Sequence, residues 1–301
     1  VAFELTHARH DPIHCLAPGL FRSLKRGERK KLKLDVTYRY GEAEQVRFVG
    51  FEPLGVDDMR LLQGLVALAG PKGIVLTAEP TAELPRQLRL SLEPQLDATD
   101  KDGLVVRESI TRLLSEIGLS DGGDNIRAAK ASLLRMSNVT LMITGSNRMA
   151  TVHLMSHTFD ERDGALFVCL NPGIADAVLG RKPYSRIDLA EVRRLGSDPV
   201  RLIHQRLCGW IDQGKSGRVE LDTVCAYIWP EQANYEAMKK RRKAARKALS
   251  NLASAGWSVE EYAKGKWEIC RPSAPSKIGN QKPSSTVVTF PLPRSNVPQS
   301  P

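Results

Sequence analysis

No apolar run in this chain approaches the roughly 18 residues a membrane span requires, and the N-terminus lacks the charged-then-apolar pattern of a signal peptide. Cysteine is sparse: five residues, at 15, 169, 208, 225 and 270, odd in number and without a C-x-x-C pair. That fits buried thiols in a reducing cytoplasm better than a disulfide framework or a zinc site. Acidic residues number 34 against 44 basic ones, leaving a net charge of +10 in 301 residues. Such an excess points to a polyanionic partner, nucleic acid before an anionic membrane. Catalytic constellations are missing too. No His-apolar-His pair suits a nickase, no acidic cluster suits two-metal chemistry, and nothing resembles a nucleophile–base pair. Asp160, Glu161 and Asp163 flank Gly164 in what reads as a solvated hairpin turn. A binder is expected, with no catalytic residue, cofactor or metal.

One catalytic spacing is present in full. Gly209 to Ser216 satisfies the phosphate-loop pattern G-x-x-x-x-G-K-S. That chemistry needs a strand before the loop and a helix after it, so that amides and helix dipole converge on phosphate. Here a helical pattern precedes and a short strand pattern follows, so the match reads as a turn.

What is abundant lies between Asn234 and Trp257. Met238, Ala245, Leu249 and Leu252 fall on one helical stripe. Lys239, Lys243 and Lys247 lie opposite, with Lys240 and Arg246 beside them and Arg241 and Arg242 on the shoulders. No acidic residue between Lys239 and Lys247 relieves the repulsion. Gly256 ends the helix, and two strand patterns, Trp257–Tyr262 and Lys266–Arg271, follow about Lys264-Gly265. Helix then basic hairpin is the order of a recognition helix and its wing.

The remaining chain supplies the frame. Residues 1–31 read as a polar, basic arm ending in Arg22, Lys25, Arg26, Arg29, Lys30 and Lys31. His7, His10, His14 and Cys15 cluster there, but Pro12 breaks the helical His10-to-His14 spacing, so a phosphate-contacting or packed arm is favoured over metal. Val1 stands where an initiator Met would, which points to residues preceding it. Strands are expected at 32–40 and 45–51, and a helix at 56–69 capped by Asp57 and stopped by Gly70-Pro71. Short strands are expected at 73–78 and 87–92. Helices at 106–117 and 124–136, the second capped by Asp124 and offering Arg127, Lys130 and Arg135, precede a hairpin of 139–144 and 149–155 and a strand at 165–170. Helix, turn, helix, hairpin is again a winged-helix order. It recurs through a helix opened by Asp198-Pro199, a strand at 218–221, a helix capped by Asp222 or Thr223, and the basic helix. The fold class is therefore α+β: a basic arm (1–31), two tandem winged-helix domains (32–180 and 181–272), and a disordered Pro/Ser tail (273–301).

Four stretches resemble one family. RHDPIHCLAPGLFRSLKRGERKKLKLDVTY (9–38), EPLGVDDMRLLQGLVALAG (52–70), RLIHQRLCGWIDQGKSG (201–217), and YIWP through KKRRKAARKAL to AGW (227–257) are similar to the RepC replication initiators of IncQ-type broad-host-range plasmids. The likeness runs from about residue 7 to 272 and leaves out the tail. It implies a cytoplasmic initiator that binds iteron direct repeats at the origin and opens an adjacent A+T-rich segment. A separate plasmid helicase and primase would then enter; these proteins, origin DNA and a second copy of the chain are the partners implied. DNA contacts are expected from Lys239, Lys240, Arg241, Arg242, Lys243, Arg246 and Lys247 of the basic helix and from Lys264 and Lys266 of the wing. Arg127, Lys130 and Arg135, and Arg26, Arg29 and Lys30 of the arm, should add phosphate contacts. The rivals are a winged-helix regulator on a palindromic operator and an ATP-driven origin factor using Gly209–Ser216.

Overall fold

The computed structural model describes residues 3–25, 27–40, 44–76, 82–92, 103–145, 149–160 and 162–273. Strand β1 (His7–His10) leads into helix α1 (Pro12–Leu16), where the Asp11 carboxylate accepts from Ile13 N–H and Pro12 sits where no donor is needed. Strands β2 (Leu34–Tyr40) and β3 (Glu44–Gly50) pair antiparallel and bury Leu34, Val36, Val46 and Phe48 at the two-residue period of a half-covered sheet. Helix α2 (Val56–Lys72) follows, then β4 (Ile74–Leu76), α3 (Glu83–Leu92), β5 (Gly103–Ser109), α4 (Ile110–Glu116) and α5 (Gly123–Ser137). Next come β6 (Thr140–Thr144), β7 (Met149–His153), β8 (Met155–Phe159), β9 (Ala165–Leu170), α6 (Pro172–Val178), β10 (Ser185–Asp188) and α7 (Leu189–Arg194). The last part holds α8 (Asp198–Trp210), β11 (Ser216–Glu220), α9 (Leu221–Ile228), α10 (Tyr235–Asn251), β12 (Ser258–Ala263) and β13 (Lys266–Cys270).

Antiparallel pairing builds two four-stranded sheets, β2-β3-β6-β7 and β4-β5-β9-β8, a three-stranded sheet β11-β13-β12, and the two-stranded β1-β10. Helix α2 lies at the centre. From Val56 to Ala69 every residue but Asp57 is buried, as befits a helix with neighbours all round. It packs against β1, β5, α4, α5 and α6. Gly64 permits the approach of α4: a Cβ there would stand 2.6 Å from Ile117 and 2.7 Å from Leu113. One cluster of buried apolar side chains runs from Leu5 through α2 to Ile269.

Several sequence expectations are corrected. Residues 87–92 belong to α3 and not to a strand; Gln87 bonds Glu83 one turn away while Leu88 is buried. The stretch 106–117 is half strand: β5 runs to Ser109 between β4 and β9, and the Ser109 hydroxyl then caps α4 by accepting from Arg112 N–H. The apolar run Leu104–Val106 is that of a strand covered on both faces, which periodicity alone does not separate from helix. Helix α2 is capped at Gly55 by Asp58, whose carboxylate accepts from Gly55 N–H at 2.7 Å; Asp57 stays exposed, and Pro71 lies within the final turn. The cap positions of α5, α8 and α9 are Gly122, Ser197 and Glu220, one to three residues ahead of the expected ones.

Of the two readings of the arm, residues 5–22 follow the packed one. Strand β1 pairs with β10, His10, His14, Leu20 and Phe21 are buried, and Arg22 pairs with Glu231 at 2.8 Å. Strand β8 and the elements α6, β10 and α7 had no counterpart in the sequence reading. The turn residues Ser146 and Asn147, Arg26 and the tail from 274 lie outside the described residues.

Asp58 joins three parts of this frame. Fully buried, it accepts from Gly55, from Arg29 at 2.6 Å, from the Ser132 hydroxyl, and from Arg135 at 2.9 Å; Arg29 and Arg135 also reach Asp57. Removing the carboxylate takes from two part-buried arginines their buried partner and leaves both to share the exposed Asp57. Asp58→Ala is expected to lower the unfolding free energy by about 3–5 kcal/mol, measured by urea titration; a loss under about 1 kcal/mol would show that water replaces the carboxylate.

A second buried pair ties α7 to α8. His204 Nε2 lies 2.7 Å from Glu191, which also accepts from Trp257 Nε1 at 2.9 Å. Burial opposes charge on His204, but Cys208 beside it and the Glu191 carboxylate outweigh burial and lift its pKa from 6.5 to about 9. Burial likewise pushes Glu191 up, yet the hydrogen bonds from His204 and Trp257 hold it below the usual carboxylate range. The histidine's contribution is therefore complete below its unfolded pKa and lost as pH rises through about 9. The carboxylate's contribution is lost as pH falls below the ordinary carboxylate range. Urea unfolding followed by Trp fluorescence should show stability falling by about 3 kcal/mol between pH 6 and pH 9.5, and His204→Gln should flatten that slope.

Candidate nucleic-acid interface

Helix α10 forms because its start, back and end are each specified. The Asn234 side chain accepts from Ala237 N–H at 2.9 Å, and Glu236 complements the positive N-terminus. Ala245, Ala248 and Leu249 are buried and Met238 is half-buried, packing the helix on α8 and α9. The α-helix proper ends at Asn251; Leu252–Ala255 tighten into a 3-10 turn, and Gly256 takes the left-handed conformation at φ 89°. Its 17 residues span about 26 Å.

Lys239, Lys240, Lys243, Arg246 and Lys247 are all exposed, on the face away from that packing. The hairpin β12–β13 extends the surface. Trp257, Trp267 and Ile269 turn inward, Val259 is half-buried, and Lys264 and Lys266 are exposed at the tip. Between helix and hairpin lies an open cleft of about 320 Å³, lined by the cations Arg242, Arg246, Lys264 and Lys266 and by the carboxylates of Asp222 and Glu220. The sequence showed the cations; it did not show that Asp222, read as a helix cap, sits among them.

Two arginines of the helix are already engaged. Arg241 donates from Nη1 to the carbonyls of Glu231 at 2.6 Å and Trp229 at 3.4 Å, fastening the linker between α9 and α10. Arg242 forms a two-pronged pair with Asp222, Nε to Oδ1 at 2.7 Å and Nη2 to Oδ2 at 2.6 Å.

The other expected contacts divide in the same manner. On α5, Arg127 is exposed and paired with Asp124 one turn back, and Lys130 is exposed with its ammonium 4.3 Å from the centre of the Phe159 ring. Arg135 instead reaches α2, its side chain 11% exposed within the Asp57–Asp58 network, and Arg29 belongs to the same network. Both guanidinium groups are thus engaged by carboxylates in this structure. Lys30 is exposed; Arg26 lies outside the described residues.

The Gly209–Ser216 loop has its own structural account. Gly209 lies in α8, where a Cβ would come within 2.7 Å of Cys15, and at Gly217 one would come within 2.9 Å of Trp210. Its amides are engaged internally: Ile211 donates to Leu207 at 2.7 Å, Gly214 to Arg271 at 3.2 Å and Lys215 to Asp212 at 3.0 Å. They do not converge on a common anion position. Elsewhere, Glu191, His204 and Cys208 place ligand-type atoms within 4.8 Å of one another. The 2.7 Å approach of Glu191 to His204 is a hydrogen bond with no room for a cation between them. Among the described residues no helix is long and apolar enough to cross a membrane.

Comparison with known proteins bears on the whole of this architecture. A crystal structure of domains 2 and 3 of RctB is similar at a TM-score of 0.53 and 12% identity, covering 86% of this chain and 97% of that one. A second crystal structure of RctB domains 2-3 gives a TM-score of 0.49 at 10% identity, with 87% and 96% covered. At such identity the likeness is one of fold. No curated protein matches the sequence. The family model described as Replication protein C (RepC) matches residues 2–273. That match takes in all four sheets, the basic helix and the hairpin, and by it the chain belongs to the RepC family of replication proteins.

Proposed function

We propose that this protein is a plasmid replication initiator of the IncQ type, which binds iteron direct repeats at the origin and opens an adjacent A+T-rich segment. The plasmid's helicase and primase would then enter as separate polypeptides. The observation that carries the reading is the exposed face of α10, with Lys239, Lys240, Lys243, Arg246 and Lys247 in three turns of helix and no acid among them. Membership of a replication protein family supports the choice of origin DNA as the polyanion. In this reading α9, α10 and the β12–β13 hairpin act as a winged helix, with α10 in the major groove and Lys264 and Lys266 on the wing. The group α4, α5, β6 and β7 serves as a second such module, offering Arg127 and Lys130.

Direct repeats have no two-fold axis, so one chain with two modules can read successive groove faces on one side of the duplex. Opening would draw on binding free energy to bend or unpair the most deformable steps. The protein performs no bond chemistry in this account. The ATP-driven alternative is disfavoured by the engaged amides of residues 209–216, and a palindromic operator would require a two-fold symmetric arrangement of chains.

Footprinting on cloned plasmid origin DNA tests the reading. Periodic protection of tandem repeats is expected with or without ATP; protection that requires ATP, or that falls on a palindrome, would overturn it. Binding should weaken steeply with salt, because about 6–10 phosphate contacts give a log–log slope of roughly −5 to −9. The double change Lys239→Ala and Lys243→Ala should make that slope shallower by about two, measured by fluorescence anisotropy across a salt series.

A further inference from the structure

The cations around the cleft are not equivalent, and their pairing separates them by role. Arg246, Lys264 and Lys266 are exposed and form no ion pair among the described residues. Arg242 instead gives its Nε edge to both oxygens of Asp222. A guanidinium carries five N–H donors in a rigid plane. The pair consumes two of them, leaving both Nη1 hydrogens and the second Nη2 hydrogen without a protein acceptor among the described residues. Those three share the plane, and Nη1 with Nη2 presents a second fork of the width that two adjacent acceptors require.

The carboxylate also decides what kind of acceptor can use that fork. With Asp222 at 2.6 Å the pair is close to neutral, and any phosphate meeting Arg242 would lie within a few ångströms of the carboxylate. Like charges at that separation repel, so a phosphodiester is better served by Arg246, Lys264 or Lys266. A base edge carries no formal charge and loses nothing to the carboxylate. Guanine alone offers two adjacent acceptors, O6 and N7, on its major-groove edge.

We propose that Arg242 reads a guanine in the major groove and that Asp222 is the positioning residue that locks its guanidinium plane for that contact. The assignment rests on α10 being the DNA-reading helix and divides the basic face between base and phosphate contacts. Asp222 thereby has two effects: it orders a long side chain before binding, and it lowers affinity for DNA in general by opposing the phosphates.

The experiment is selection of duplexes from a library with 20 randomised positions by the full chain, followed by salt titrations on the selected and on unselected duplex. The library length of about 20 covers two turns of major groove. Wild type should select a motif containing a strongly preferred guanine. Arg242→Ala and Arg242→Lys should each lower the preference for that one guanine about ten- to hundredfold, leaving the other positions and the salt slope unchanged. Asp222→Ala should lose preference at the same position while binding unselected duplex more tightly, and adding it to Arg242→Ala should cost no further discrimination. Thermal unfolding of each variant reports that the fold is kept. A motif retained in full by Arg242→Lys, with the salt slope reduced by about one in Arg242→Ala, would make Arg242 a phosphate contact and overturn the proposal. If Lys239→Ala and Lys243→Ala also leave affinity unchanged, the helix is not on the DNA, and both the assignment and the reading beneath it fall.

Discussion

A cationic helix holds together only if something behind it outweighs the repulsion in front. Along α10 the pairs Lys239–Lys243 and Lys243–Lys247 stand one turn apart with like charge, each costing about 0.2–0.5 kcal/mol. Against this, Leu249 and Leu252 are fully buried, and burying one such side chain stabilises by about 1.5–3 kcal/mol. Ala245 and Ala248, also buried, keep the helix close to its neighbours. Burial wins by a clear margin, and the charges remain in water because the back of the helix is occupied. The exposed face follows from the packed one, and the position of the hairpin follows from Gly256, whose left-handed turn starts the chain back along the helix.

The basic residues separate by chemistry. The lysines at issue, 30, 239, 240, 243, 247, 264 and 266, are all exposed. The arginines are mostly employed in holding parts together: Arg22 to Glu231, Arg29 and Arg135 to Asp58, Arg241 to the carbonyls of Trp229 and Glu231, and Arg271 to the carbonyls of Cys208 and Ile211. A planar fork satisfies several acceptors at once and tolerates partial burial, whereas an ammonium group keeps its water. A count of positive charge therefore overstates what is available to a polyanion.

The separation also explains what could be read from the chain alone. The basic helix, its Gly256 end and the hairpin behind it were legible because local rules decide each: a 3.6-residue stripe, a left-handed glycine and alternating apolar residues. The strand at Gly103–Ser109 was not, since a short apolar run buried on both sides has no period to separate it from helix. The burial of residues 5–22 was hidden for a different reason. Strand β1 is closed by β10, almost 180 residues later, and no local pattern announces so distant a partner. The pairing of Arg29 and Arg135 was hidden on the same ground, because Asp58 sits in a different element from either.

Those long-range links have a mechanical consequence for the two modules in the reading proposed above. Helix α5 is fastened to α2 through Asp58, α2 to α8 through the 2.6 Å contact of Gln63 with Gln205, and α8 to α10 through shared core. Arg271, just beyond β13, donates to carbonyls at the end of α8, closing the hairpin onto the same frame. Nothing in that path is a solvated linker. Two groove-reading helices held by one continuous core cannot adjust independently to their sites, so a duplex whose phase differs from theirs must itself deform. On that reading the protein would demand repeats of fixed spacing, and the strain it imposes would fall where stacking is weakest, as in an A+T-rich segment.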